Sequence, residues 1–127
     1  MTTYSSYWHV SRNAWNSAFS RKNITTGTPP FGEIHIIQDS IVSDTYYGIT
    51  AQNSINFVIT INSSVCTAVT IQSVIVHELG HVLNLDENNA LLAIVPIMGQ
   101  LRDRTVVKTP QADDIAGVEA FIRYRWL

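Results

Sequence analysis

Apolar residues near the start of the chain recur at helical spacing. Trp8, Trp15 and Phe19 fall on one face, with Tyr4 a turn earlier and Ala14 and Ala18 nearby, while Arg12, Asn13 and Asn16 lie mostly away from it. This predicts a helix over about Ser5–Ser20. Asn23 to Gly32 carries Thr, Gly and a Pro pair, the marks of a loop, with a short strand at Ile24. The pattern then turns β-like. Ile34–Gln38 and Tyr46–Ala51 are short strands. In Ile55–Ile61, Ile55, Phe57, Ile59 and Ile61 alternate with Asn56, Val58 and Thr60, and Asn62-Ser63-Ser64 ends the run. A second helix is expected over about Thr70–Leu85. Val74, Ile75, Leu79, Val82 and Leu83 cover so broad an arc that it must be central and largely buried. Asp86 to Gln100, with Asn88-Asn89 and Pro96, reads as a loop. Thr109 is a suitable N-cap with Pro110 at the first helical position, and Ile115, Val118 and Ile122 form the stripe of a last helix. Helix, short strands and two further helices make an α+β domain: a small twisted sheet, a central helix and a C-terminal helix.

Length and charge narrow the picture. The 127 residues, 46% of them apolar, suit one domain with one core, residues 1–127. A net charge of −2 favours neither a nucleic-acid nor a membrane partner, and no apolar run reaches membrane-spanning length. No Lys or Arg occurs between Lys22 and Arg102, which reads first as a neutral, polar-surfaced domain and, as a sharper alternative, as a mildly negative cleft that would favour cationic substrates. The single cysteine, Cys66, rules out an internal disulfide and reads as a small buried hydrophobe. The first residues lack the basic and apolar regions of a signal peptide, as expected of a cytosolic protein or of a domain whose leader has been removed. Nothing in the pattern demands more than a monomer.

The chemistry concentrates on the second helix. His77-Glu78-Leu79-Gly80-His81 is H-E-x-x-H. Two histidines four apart project from one helix face, so their imidazoles can meet one metal ion. Glu78 stands beside them as a general base for metal-activated water. Three polar groups on so apolar a helix would be costly without a partner such as a metal. His9 and His35 have no spaced partner and read as structural.

A catalytic zinc site normally takes a third protein ligand. The string His77-Glu78-Leu79-Gly80-His81-Val82-Leu83-Asn84-Leu85-Asp86-Glu87 resembles the H-E-x-x-H-x-x-G-x-x-H signature of the metzincin clan of zinc peptidases. Asn84 stands where the family has the helix-breaking glycine, and Asn is the residue that next best tolerates a left-handed backbone. Glu87 stands at the third histidine's place and is favoured as third ligand over Asp86, which is shorter and one position out of register. Pro96-Ile97-Met98-Gly99 resembles the methionine turn beneath the metal. Thr109-Pro110-Gln111-Ala112-Asp113-Asp114 resembles the start of the last helix of the matrixin family, the matrix metalloproteinases and their bacterial relatives. The likeness runs from about Trp8 onward and is specific from Val74 to Gly99. The strand that the family carries before its first helix is absent here or lies ahead of this sequence. The stretch between Gln38 and Tyr46 is too short for the extra zinc and calcium sites of vertebrate members.

The resemblance implies a zincin-like fold, Zn2+ as cofactor, secretion, and cleavage of protein or peptide substrates. The metal would be held by His77, His81 and Glu87, with Glu78 as base. Met98, Asn84, Asp113 and Asp114 would give structural support, the two aspartates tying the last helix to the methionine turn and the mature N-terminus. The substrate would lie extended along an edge strand near Tyr46–Ala51, with selection by a pocket between the central helix and the segment after Met98. An acidic third ligand makes the bound water less acidic than three histidines would. The alternative is therefore a catalytically impaired metal- or peptide-binding domain of the same fold.

Overall fold

The computed structural model describes residues 5–18, 34–39, 46–53, 56–88 and 95–125. Tyr4, Phe19, Ile24 and Ile55 lie outside the described residues. In order, the chain forms α1 (Ser5–Ser17), β1 (Ile34–Asp39), β2 (Gly48–Asn53), β3 (Asn56–Asn62), α2 (Ile71–Val82) and α3 (Ala112–Arg125). This is the α+β arrangement expected, with shifted boundaries. Among the described residues no helix is long and apolar enough to cross a membrane.

The sheet is mixed, in the order β1-β3-β2. β3 runs parallel to β1 and antiparallel to β2, with Ile59 opposite both Ile36 and Thr50. Period-two alternation turns Ile59 and Ile61 of β3 into the core, where both are fully buried. Opposite them on β2, Gly48 and Thr50 face α2, while Ile49 and Ala51 point outward and are exposed. β2 begins at Gly48, two residues later than expected. The backbone of Tyr46 and Tyr47 is instead held by Asn62, whose Nδ2 donates to Tyr46 O (2.7 Å) and whose backbone N–H donates to Tyr47 O (2.9 Å).

α2 is the centre of the molecule. It packs against α1, β2 and β3, and apart from Gln72 and His81 every residue in it is buried. Trp15 of α1 is fully buried and donates its indole N–H to Val76 O of α2 at 2.8 Å, so the largest core side chain also has its polar atom satisfied. Ile97, Met98 and Val118 complete the same cluster.

α2 stops at Val82 rather than Leu85. Asn84 has φ 71°, the only positive φ at a non-glycine among the described residues. Leu85 N–H bonds Gly80 O at 2.9 Å and Asn84 N–H bonds His81 O at 3.0 Å, the paired bonds of a Schellman stop. Leu85 then turns inward against Gly117 of α3, where a Cβ would lie 2.8 Å from its Cδ2. α3 begins at Ala112, so Thr109 and Pro110 are not its cap and first residue. Gln111 takes the cap position because the Asp114 carboxylate accepts its backbone N–H at 2.8 Å. The Ile122 side chain lies outside the described residues.

Candidate metal centre

His77 and His81 sit one turn apart on α2, with ring centroids 4.9 Å apart and planes at 83°. Each uses Nδ1 on a backbone carbonyl: His77 on Ile97 O at 2.7 Å, His81 on Leu85 O at 2.8 Å. A carbonyl only accepts, so both Nδ1 atoms carry hydrogen, and in the neutral rings both Nε2 atoms present lone pairs. Those two Nε2 atoms converge on one oxygen, Glu87 Oε1, at 2.9 and 3.1 Å. Asp86 is exposed and touches neither ring. Left-handed Asn84 makes this possible, since it ends the helix and returns the chain beneath His81.

Three acceptor atoms meeting with no donor among them need a positive charge. A proton can supply part of it. Burial alone would raise the Glu87 carboxyl, but the bonds and charge of the two imidazoles together outweigh burial and hold it at about 2. Burial likewise pulls His81 down, yet the Glu87 bond, the Glu78 charge and the Leu85 carbonyl outweigh it and raise its pKa. The same atoms could also hold a divalent ion. Donors about 2.0–2.1 Å from a tetrahedral zinc stand roughly 3.3 Å apart, close to the separations found here, and two imidazoles with a carboxylate are a zinc donor set. The carbonyls on Nδ1 orient the rings as outer partners of metal-ligating histidines do.

Glu78 is buried beside this cluster, its carboxylate within 4.8 Å of the ligating atoms of both histidines. Thr50 Oγ1 lies 2.5 Å from Glu78 Oε2 and donates to it. Gly48 leaves room for that carboxylate, since a Cβ there would lie 3.2 Å from Oε1 and 2.9 Å from Val74 Cγ1.

Beneath the cluster, Pro96 O accepts Gly99 N–H at 3.0 Å, closing a tight turn with buried Ile97 and Met98 at its corner. Met98 Sδ lies against Gly80, where a Cβ would come within 2.3 Å, so a side chain before His81 would force Met98 to move. Buried Asp114 accepts the N–H groups of Ile97 (2.7 Å) and Met98 (3.1 Å). A relay of bonds thus runs from Asp114 through the Ile97 peptide to His77. Asp113 is exposed and binds the Asn88 side chain; the N-terminal partner implied for the pair lies outside the described residues. His9 is exposed on α1 rather than packed, and the His35 side chain lies outside the described residues. Cys66 is half-buried, donates to Tyr47 O at 3.1 Å, and burial raises its thiol to about 11, which leaves it unreactive.

Residue spacing did not point to Thr50, Gly48, Arg102 or Arg104. Arg102 is buried, donating Nε to Ser73 Oγ (2.9 Å), Nη1 to Gly99 O (3.0 Å) and Nη2 to Ser73 O (3.2 Å). Burial, with repulsion from Arg104 added, lowers it to about 10, so it stays charged at neutral pH. Arg104 stacks on Tyr47, 4.0 Å above the ring centroid. Both line a hollow beside His77 and Glu78. The hollow beside His77 is therefore not the mildly negative cleft of that alternative, whereas the cleft along β2 has Glu78 and Glu87 and no Lys or Arg among its described lining residues. The cation-free stretch ends at Arg102, and the chain returns after the Met98 turn to set two guanidinium groups next to the centre. Their only signal was position: two arginines soon after Pro96–Gly99.

No protein family, curated protein or solved structure matches this chain.

Proposed function

We propose that the chain is a zinc-dependent endopeptidase with a zincin-like, matrixin-type fold. One observation carries the reading: the lone-pair atoms His77 Nε2, His81 Nε2 and Glu87 Oε1 converge without a donor, with the Glu78 carboxylate beside them. His77, His81 and Glu87 would hold the metal. When bound, zinc supplies a Lewis acid and acidifies a water molecule it holds. Glu78 acts as base and then as acid, taking the proton of the attacking water and passing it to the leaving amine. The Thr50 hydroxyl fixes Glu78 Oε2. β2 is an edge strand beside an open cleft that Gly48, Thr50, Gln52, Glu78 and His81 help to line, which suits an extended peptide paired by backbone hydrogen bonds.

The test combines zinc content with casein digestion. The expected outcome is one zinc per chain, cleavage abolished by chelator, and a Glu78→Ala protein that keeps its zinc but loses cleavage. A Glu78→Ala protein that still cleaves would sink the mechanism. Zinc without cleavage in the wild type would favour the impaired binding domain, a reading supported by the anionic third ligand Glu87.

A further inference from the structure

The hollow beside the metal centre is bounded by α2 on one side, by the Tyr46–Gly48 approach to β2 on another, and by the segment after Met98 on the third. Its cavity volume is about 40 Å³. His77 and Glu78 stand at its inner edge, so a side chain entering it belongs to a residue adjoining the scissile bond. Arg102 and Arg104 also line it.

Arg102 feels the charges of Glu87, Glu78 and Asp114, none of them in direct contact with it. Neither guanidinium has an ion-pair partner among the described residues. The two carboxylates of the hollow are already engaged, Glu87 by both imidazoles and Glu78 by Thr50. Arg102 is fixed by its three bonds to Ser73 and Gly99. Arg104 donates Nη2 to Gln100 O at 3.1 Å, while its Nε is shut off from solvent and has no partner. Stacking on Tyr47 holds the guanidinium plane, and the Nη groups remain able to receive a carboxylate.

We infer that this hollow selects substrates with an acidic side chain, Asp or Glu, next to the scissile bond, with Arg104 as the direct partner and Arg102 behind it. The inference rests on the peptidase reading for the identity of the ligand. An apolar side chain leaves the two guanidinium groups without an anion, and a lysine side chain meets two like charges.

Binding is measured on the zinc-loaded Glu78→Ala protein, which holds peptides without cutting them. The probes are three peptides identical except for Glu, Leu or Lys at the residue after the cleavage point, read by fluorescence anisotropy. Cleavage sites of the wild type in a peptide mixture are mapped in parallel by mass spectrometry. The Glu peptide should bind at least about tenfold tighter than the Leu and Lys peptides. Adding Arg104→Glu should reverse the order of Glu and Lys, and Arg104→Lys should keep it. A simple loss of folding cannot produce a reversal. If Arg104→Glu fails to fold, Arg104→Leu should erase the preference for Glu over Leu. Equal binding of the three peptides, or a preference untouched by the Arg104 changes, overturns the inference even if the wild type cleaves. A preference for Glu in a protein that cleaves nothing supports the pocket assignment and sinks the peptidase reading.

Discussion

His77 and His81 are oriented by the backbone carbonyls of Ile97 and Leu85, and that leaves both Nε2 lone pairs aimed at Glu87. Removing Glu87 takes away the third donor. Glu87→Ala should weaken zinc binding by about 100-fold or more in competition with a chromogenic chelator, while Asp86→Ala changes it little. Protonation gives an independent check. In the metal-free chain, the raised His81 contributes stability that is fully present below its unfolded value of about 6.5 and is lost as pH rises through its folded value. Glu87, held at about 2, contributes stability that is present above its unfolded value of about 4.3 and is lost as pH falls toward 2. Zinc competes with the His81 proton, so its stabilising effect grows with pH over the same range. Denaturant unfolding between pH 5.5 and 8.5, with chelator and with excess zinc, should show stability falling with pH in the first series. The gap between the two series should widen with pH. A gap that narrows would mean that zinc does not bind at His81.

At the scale of elements, the end of α2 decides whether the site exists. The Schellman stop needs a left-handed residue at position 84, and Asn84 meets it at φ 71°. Asn84→Gly should be neutral or slightly stabilising. Asn84→Ala should cost about 1 kcal/mol in chemical unfolding and weaken zinc binding, because Glu87 lies three residues beyond the turn. The stop was legible in the Asn at this place. The start of α3 was misjudged because Thr109-Pro110 is a good local cap pattern. The Asp114 carboxylate, bonded at once to Gln111, Ile97 and Met98, moves the cap to Gln111, and a tertiary contact overrides the local preference.

Across the whole molecule, the segment under the site is locked to α2 by Met98 on Gly80 and to α3 by Asp114. A methyl group at position 80 would overlap the Met98 sulfur, so Gly80→Ala should destabilise the protein by roughly 1–3 kcal/mol. In a Met98→Ala background, where the sulfur is gone, the same change should cost less by at least about 1 kcal/mol, measured as a coupling free energy in a double-mutant cycle. Equal costs in both backgrounds would show that the Gly80–Met98 contact is not what excludes a side chain.

The sequence by itself determined what acts within a turn or two of helix or along one strand. The spacing of His77 and His81, the alternation in β3, the stop at Asn84 and the reach of Glu87 all follow from local geometry, which leaves a periodic trace. Only the tertiary structure decided which distant groups complete the site. Thr50 reaches Glu78 from 28 positions away, Ile97 reaches His77 from 20, and Asp114 reaches Ile97 from 17. Arg102 and Arg104 acquire their meaning only when the chain folds back beside β2. Such contacts depend on the path of the whole backbone, and no spacing rule along the chain records them.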